Sequence, residues 1–228
     1  MFLLTPFSCT VGEVSTDAAV KRGPYAGTRK RREKIARATL ELVQERGHES
    51  VTIAQVAERS GSSEATVLYH FPSRDHLLVA ALELDDSLVM TAHHLDEGEP
   101  VFDLDELHDT ASSASRDDPM LRLLLAIKGL AISPEHPGRS YLERRTAAQI
   151  DIFTRMVANR QRDALAHPGL DARQIAIEMI AMWDGLTGLW FAGVEIDLGE
   201  MLVGTFRRLA GENVMQAQAI IRDSEFGL

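Results

Sequence analysis

The sequence has 228 residues, of which 45% are apolar, and a formal net charge of -10 at pH 7. Its one cysteine, Cys9, excludes an intrachain disulfide framework, and no apolar run reaches the ~18 residues of a membrane span. The opening MFLL is too short for the apolar part of a signal peptide and follows no basic residue, so we expect a cytoplasmic protein with no membrane partner.

The charge is unevenly distributed along the chain. Residues 20–80 contain 11 Lys/Arg and 7 Asp/Glu, whereas the rest of the chain contains 13 Lys/Arg and 27 Asp/Glu. This asymmetry predicts a basic module attached to an acidic body.

Hydrophobic periodicity predicts helices from residue 27 onward. Residues 1–27 have no sustained period and are expected to form a flexible leader. A first helix is expected from Gly27 to Gly47, and a longer one starts at Pro72 and Ser73. Beyond the acidic segment around HHLDEGEP, helices are expected at 104–115, 118–132, 138–166, 171–192 and 197–211. Alternating apolar and polar runs are nearly absent, so the predicted fold class is all-α.

Two short helices are expected between residues 52 and 70. Thr52 and Gln55 have the spacing of a capping box, and Gly61 ends the first short helix. Ser62 or Ser63 can cap the second, which runs to about His70.

The spacing within this pair indicates a helix-turn-helix. Ala57 is small where the two helices would cross, Gly61 can adopt the positive φ of the turn, and Val67 can pack back onto the first helix. The major groove of DNA admits one helix and is read by that helix's first turns. A short helix held away from the body by another is suited to this task.

The stretch REKIARATLELVQERGHESVTIAQVAERSGSSEATVLYHFPSRDHLLVAAL resembles the DNA-binding domain of the tetracycline-repressor (TetR) family. The resemblance covers about residues 29–82 and rests on ERG, the following Thr, AERSG and HFPSRDHLL. It implies an N-terminal three-helix DNA-binding domain at 28–75, a helical ligand-binding and dimerisation domain at 76–212 and a C-terminal tail at 213–228.

The resemblance implies roles for individual side chains. Those expected to contact phosphates or fix the docking angle are Thr52, Ser63, Tyr69, His70 and Arg74. Those expected near base edges are Ser62, Glu64, Ala65 and Thr66. An arm that includes Lys21, Arg22 and Arg29 to Arg32, with Arg29 and Arg31 as its candidate DNA contacts, is expected to follow the backbone or enter the minor groove. The alternative for the arm is a solvated basic run.

Three positions depart from the family pattern, and at one of them Ala65 stands where a Gly is common. Leu68 stands where the family usually has Tyr, so the hydroxyl contact to the DNA backbone is lost or passes to Tyr69. Glu64 replaces a common Lys or Arg; it can accept from a cytosine amino group, or be a solvated residue favoured by the helix N-terminus.

The last two helices predict a dimer interface. Residues 171–192 are apolar almost all round, and glycines would allow a second helix to approach closely. The candidate interface residues are Gly185, Gly188, Leu189, Met201, Leu202, Thr205, Phe206 and Leu209. Alternatively, these helices bury each other within one chain.

A small-molecule pocket is the other feature that the resemblance implies. Its candidate lining residues are His136, Phe153, Met156, Met179, Met182, Trp183 and Asp184, which suit a small hydrophobic or amphipathic ligand. The alternative is that these residues are core packing.

The predicted function is a dimeric transcription repressor that a small ligand releases from its operator DNA. The alternative is a ligand-independent architectural or division-control protein of the same fold. An enzyme is not expected, because HExxH, paired CxxC, phosphate-loop and GxSxG motifs do not occur. Neither a cofactor nor a metal is expected, since His93 and His94 of HHLDE would point about 100° apart on a helix.

Overall fold

The computed structural model describes residues 24–92, 104–216 and 218, which form helices joined by turns and contain no strand. The all-α prediction is confirmed. The leader up to residue 23, with Lys21 and Arg22, lies outside the described residues, as do HHLDE and most of the tail. The elements are α1 (Pro24–Arg46), a short 3₁₀ helix (His48–Ser50), α2 (Ile53–Ser60), α3 (Glu64–His70), α4 (Arg74–Ala92), α5 (Leu104–Ser112), α6 (Pro119–Leu130), α7 (Gly138–Arg162), α8 (Ala172–Phe191) and α9 (Leu198–Leu209).

Aspartates begin the later helices. Asp118, Asp171 and Asp197 each accept hydrogen bonds from backbone N–H groups in the first turn of α6, α8 and α9. These groups have no partner within the helix, so the caps fix where each helix begins.

Two helices are shorter than the periodicity predicts. Helix α5 ends at Ser112 rather than 115. Helix α7 ends at Arg162 rather than 166 because Ala164 has a positive φ of 58°. The Leu165 N–H donates to the Arg160 carbonyl, which closes the helix before the HPG segment that the sequence indicated as its end.

Helix α4 runs between two apolar cores. The N-terminal core joins α1, α2, α3 and the first half of α4 to residues of α6 and α7, among them Ile127 and Tyr141. The body core joins α5, α7, α8 and α9, and Val89 of α4 packs into it. The N-terminal core therefore extends past residue 75, the proposed end of the DNA-binding domain.

A buried polar group separates the two cores along α4. We call Asp85, Asp86, Tyr141 and Arg145 the junction cluster; each is at most 6% exposed. The Tyr141 hydroxyl donates to Asp86 Oδ2 at 2.7 Å, and Arg145 Nη1 pairs with Asp86 Oδ1. Asp85 Oδ2 accepts no hydrogen bond from the described residues. Burial, with the Asp86 and Asp118 carboxylates nearby, raises the pKa of Asp85 to about 8.

None of the described helices combines the length and apolar character that crossing a bilayer requires.

Candidate nucleic-acid interface

The turn between α2 and α3 has the geometry that the sequence predicts. Thr52 and Gln55 form the capping box: the Thr52 N–H donates to Gln55 Oε1 at 2.9 Å and the Gln55 N–H to Thr52 Oγ1 at 3.3 Å. Gly61 is left-handed (φ 58°, ψ 40°), and the Ser62 N–H donates to the Ala57 carbonyl at 2.9 Å. The capping box begins α2, whereas Gly61 and the Ser62 bond end it and redirect the chain towards α3.

Helix α3 has one buried side and one exposed side. Ser63 caps it by accepting from the Thr66 N–H at 3.2 Å. Val67 is fully buried against the N-terminal core, as predicted. Leu68 and Tyr69, which follow it, are 41% and 82% exposed. An exposed aromatic ring of this extent is available to a partner, because its own chain leaves it uncovered.

The expected DNA contacts differ in their exposure. Thr52, Ser63, Glu64 and Ala65 are exposed, and Thr66 and His70 are half-buried. The Ser62 hydroxyl is buried without a hydrogen-bond partner in the described structure, and the Thr66 hydroxyl lies 2.8 Å from that of Ser63. Direct base contacts of these residues remain predictions.

The basic start of α1 lies beside this surface. Arg29, Lys30 and Arg31 are exposed. Lys34 Nζ lies 3.5 Å from where a Cβ on Gly61 would be, so this end of α1 adjoins the turn. The arm and α3 can therefore face one polyanion together.

Two arginines hold the ends of the helix-turn-helix. The sequence placed Arg32 only in the basic arm and gave Arg74 a phosphate contact or a part in the docking angle, and it did not indicate the partners of either side chain. Arg32 Nη1 donates to the His70 carbonyl at 2.9 Å, and its guanidinium lies 4.3 Å from the centre of the Phe71 ring. Arg74 Nε donates to the Val51 carbonyl at 2.8 Å, and its Nη2 donates to that of His48. Both guanidinium groups are thus engaged within the protein, and the phosphate contact expected of Arg74 stays a prediction.

The predicted dimer residues divide into two groups. Gly185 and Gly188 face open space, with no atom within 4 Å of the position that a Cβ would take, and Leu189 and Met201 are 52% and 43% exposed. Thr205 and Leu209 are half-buried.

Leu202 and Phe206 are fully buried in the body core, so assigning them to the interface was wrong. The apolar side of α9 packs against α5 and α8 of the same chain. The pattern of an amphipathic helix does not reveal whether its partner belongs to its own chain.

The predicted ligand residues are mostly core. Phe153, Met156, Met179 and Trp183 are at most 4% exposed within the body core, and Met182 packs against it. Asp184 pairs with Lys128 at 2.5 Å, and His136 Nδ1 accepts from the Gly138 N–H at 3.0 Å.

A cavity on the surface of the described structure is lined by other residues. It is an open groove of about 730 Å³ along α7, which we call the α7 groove. The end of α6 and the start of α8 complete it, and the side chains of the predicted ligand set do not line it. Phe153, Met156, Met179 and Trp183 pack instead in the body core, as the core-packing alternative expects, and a ligand contact of these side chains stays a prediction.

The fold and the exposed α3 define a helix-turn-helix protein. Residues 35–81 match the model of the family of bacterial regulatory proteins named tetR. The transcriptional repressors KstR of Mycolicibacterium smegmatis and Rhodococcus jostii are each 44% identical to the chain over 54 residues. The match covers 24% of this chain and only 26% of each of these curated relatives.

Solved structures share the fold over more of the chain. A TetR transcription regulator from Haloarcula marismortui superposes with a TM-score of 0.58 and 20% identity, covering 81% of this chain and 96% of its own. A protein from Saccharomonospora viridis in complex with choline superposes with a TM-score of 0.60 and 19% identity, and the match covers 81% of this chain and 97% of that protein. NalD is the secondary repressor of the MexAB-OprM multidrug efflux pump of Pseudomonas aeruginosa. It superposes with a TM-score of 0.53 and 20% identity, and the match covers 79% of this chain and 96% of NalD.

Proposed function

We propose that the protein is a dimeric transcription repressor that binds operator DNA through α3 and responds to a small molecule in its helical body. The observation that carries the DNA-binding part is the position of α3. Val67 holds it on the N-terminal core, while its opposite side is exposed beside the basic start of α1.

The exposed residues suggest how the contacts are shared. Glu64, Ala65 and Thr66 occupy the first turn of α3, from which a helix in the major groove reads base edges. Tyr69, 82% exposed, can donate its hydroxyl to a phosphate in place of the tyrosine that Leu68 replaces. Arg32 and Arg74 would set the angle of α3 and leave the arm to contact the backbone.

A stripe of small side chains on α8 supports the dimer. Ala181, Gly185, Gly188, Leu189 and Ala192 are all exposed and recur at helical spacing along one face. Two such faces can pack closely around a two-fold axis. A dimer would present two copies of α3 to half-sites about 34–36 Å apart.

The ligand response rests on family relatives and on α4. The S. viridis protein binds choline, and NalD is a repressor. In this chain α4 joins the two cores, so a ligand that favours one arrangement of the body can change the spacing of the two α3 helices. A differential affinity of about 1–3 kcal/mol would change DNA affinity roughly 5–150-fold.

Selection of bound fragments from random duplex DNA tests the proposal. We expect an enriched inverted repeat whose half-sites are centred about one helical turn, or a multiple of it, apart. Failure to enrich any sequence at low ionic strength would refute the DNA-binding role.

Replacing both Arg29 and Arg31 with Ala is expected to weaken DNA binding. The plot of log affinity against log salt, which has a negative slope, should become shallower by about one unit per lost phosphate contact. Binding measured by fluorescence anisotropy between about 50 and 200 mM salt, a range over which such slopes are large, gives the slope. The matched control replaces Arg139 and Arg144, which are exposed on α7. Equal slopes for both double variants would show that the arm does not contact DNA.

Replacing Gly188 with Leu is expected to produce a folded monomer that binds DNA poorly. The position is in open space within one chain, so the larger side chain should affect only a close contact with a second copy. Sedimentation and DNA binding are the measurements, and Gly129→Leu, which also points into open space, is the control. If Gly188→Leu sediments as a dimer with full DNA affinity, α8 is not the interface.

A further inference from the structure

The α7 groove has an apolar floor. Leu142, Ala147 and Ile150 lie along it on successive turns of α7, and Ala131 closes it at the end of α6. Ala147 is exposed, and Leu142 and Ile150 are half-buried. The volume of about 730 Å³ lies within the ~300–1,000 Å³ usual for small-molecule sites.

Among the described residues, the charged side chains around the groove are paired except for Arg173. Glu143 pairs with Arg139 at 3.1 Å, and Asp151 pairs with Arg155 at 3.0 Å. The Arg173 guanidinium, at the start of α8, makes no hydrogen bond or ion pair with another described residue.

The acidic neighbour of Arg173 is already engaged. Asp171 accepts from the backbone N–H groups of Arg173 and Gln174 at 2.8 and 3.2 Å. Its negative charge is directed at the first turn of α8, where the helix dipole favours it. The Arg173 guanidinium at the rim thus has no anionic partner among the described residues.

We infer that the α7 groove binds a small amphipathic anion, with its apolar chain along Leu142, Ala147 and Ile150 and its carboxylate or phosphate on Arg173. A planar guanidinium can bind either head group through two parallel hydrogen bonds. The inference of a binding site depends only on the groove. Its role in regulation rests on the proposed function, and there the bound anion would be the effector.

Calorimetric titration of the full chain with sodium octanoate, sodium decanoate and decyltrimethylammonium, each below its micelle-forming concentration, tests the inference. Decanoate should bind about ten-fold more tightly than octanoate, since two further methylene groups are buried. The decyl cation should bind at least about ten-fold more weakly than decanoate, because it cannot pair with Arg173. Equal binding of anion and cation would overturn the assignment of charge.

Variants locate the site. Arg173→Gln should weaken decanoate binding about 3- to 10-fold, whereas Arg46→Gln, which removes an exposed arginine outside the groove, should leave it within about two-fold. Ala147→Phe should fill the groove and weaken binding at least about ten-fold, while the control Ala54→Phe, also exposed on a helix, should not. Unchanged binding by Ala147→Phe would overturn the site. A change in oligomeric mass for Ala147→Phe would instead identify a second copy as the occupant and equally overturn it.

These results separate the two proposals. Decanoate binding that follows the predicted pattern, in a protein that selects no DNA, would retain the site and refute the repressor. Firm operator binding without groove-dependent decanoate binding would support the repressor and refute the ligand site. If both hold, decanoate should change DNA affinity for the wild type but not for Ala147→Phe.

Discussion

Asp85→Asn is expected to flatten the pH dependence of stability between about pH 4 and 8. Asp85 is 2% exposed, and its pKa in the folded protein is raised to about 8 by burial and by the neighbouring Asp86 and Asp118, against only Arg145 lowering it. In the unfolded chain an Asp carboxyl has a pKa of about 3.9. The folded state thus binds one more proton than the unfolded state in this interval.

The sign of the effect follows from this difference. Stabilisation from protonated Asp85 is fully present below about pH 4 and is lost as the pH rises towards 8, by up to about 1.4 kcal/mol per pH unit. Asn cannot lose a proton, so this contribution is absent in the variant. Between about pH 5 and 8 the wild type should lose on the order of 3 kcal/mol more unfolding free energy than Asp85→Asn.

Asp86→Asn is the matched variant, and it is expected to lower the free energy of unfolding. Asp86 accepts from Tyr141 and pairs with Arg145, both buried. Removing its charge leaves the Arg145 guanidinium without its closest anion, and breaking such a buried pair costs about 3–5 kcal/mol. Without the neighbouring Asp86 charge, Asp85 would ionise more readily and partly compensate Arg145. The loss of stability should therefore lie near the lower end of this range.

Urea unfolding at a series of pH values, at one fixed protein concentration, measures both effects. Parallel pH profiles for the wild type and Asp85→Asn would show that Asp85 titrates alike in the folded and unfolded states. An Asp86→Asn variant as stable as the wild type would show that the ion pair with Arg145 contributes nothing.

Local signals made the helix-turn-helix predictable. A capping box and a left-handed glycine act within about four residues, so the bonds of Thr52 and the turn at Gly61 could be predicted from spacing. Spacing left Ser62 and Ser63 both open as the cap of α3, and the structure assigns the cap to Ser63. The buried position of Val67 followed from the same short register.

Long-range polar contacts were not predictable. Arg145 and Asp86 are 59 positions apart, and Arg32 and His70 are 38 apart. Nothing near either arginine indicates its partner, so the sequence places Arg32 only in a basic arm. The same limit applies to the α7 groove, since periodicity assigns residues to a face but not the space in front of it.

The junction cluster gives α4 a specific place in the proposed repressor. Leu82 of α4 belongs to the N-terminal core and Val89 to the body core, with Asp85 and Asp86 between them. Asp86 is bonded to two side chains of α7, the helix that also carries the floor of the α7 groove. A ligand in that groove would thus act on α7, which is bonded to α4, and α4 packs against the helix-turn-helix through the N-terminal core.

Gly199→Ala is expected to destabilise the body by about 2–3 kcal/mol. Gly199 lies in the first turn of α9, which packs against α5. A Cβ there would contact the Ser112 hydroxyl and come within 2.7 Å of the His108 carbonyl oxygen. Ser112 can rotate away, but the His108 carbonyl is fixed in the backbone of α5, so one helix must shift.

Gly129→Ala is the control for this prediction, because Gly129 also lies in a helix but has no atom within 4 Å of where its Cβ would be. There the change should stabilise by up to about 1 kcal/mol, the difference in helix propensity between Gly and Ala. Urea unfolding of both variants should therefore give shifts of opposite sign. If Gly199→Ala unfolds at or above the wild-type midpoint, α5 and α9 are farther apart in solution than their packing here requires, and the body core that supports α7 and α8 is looser than this fold implies.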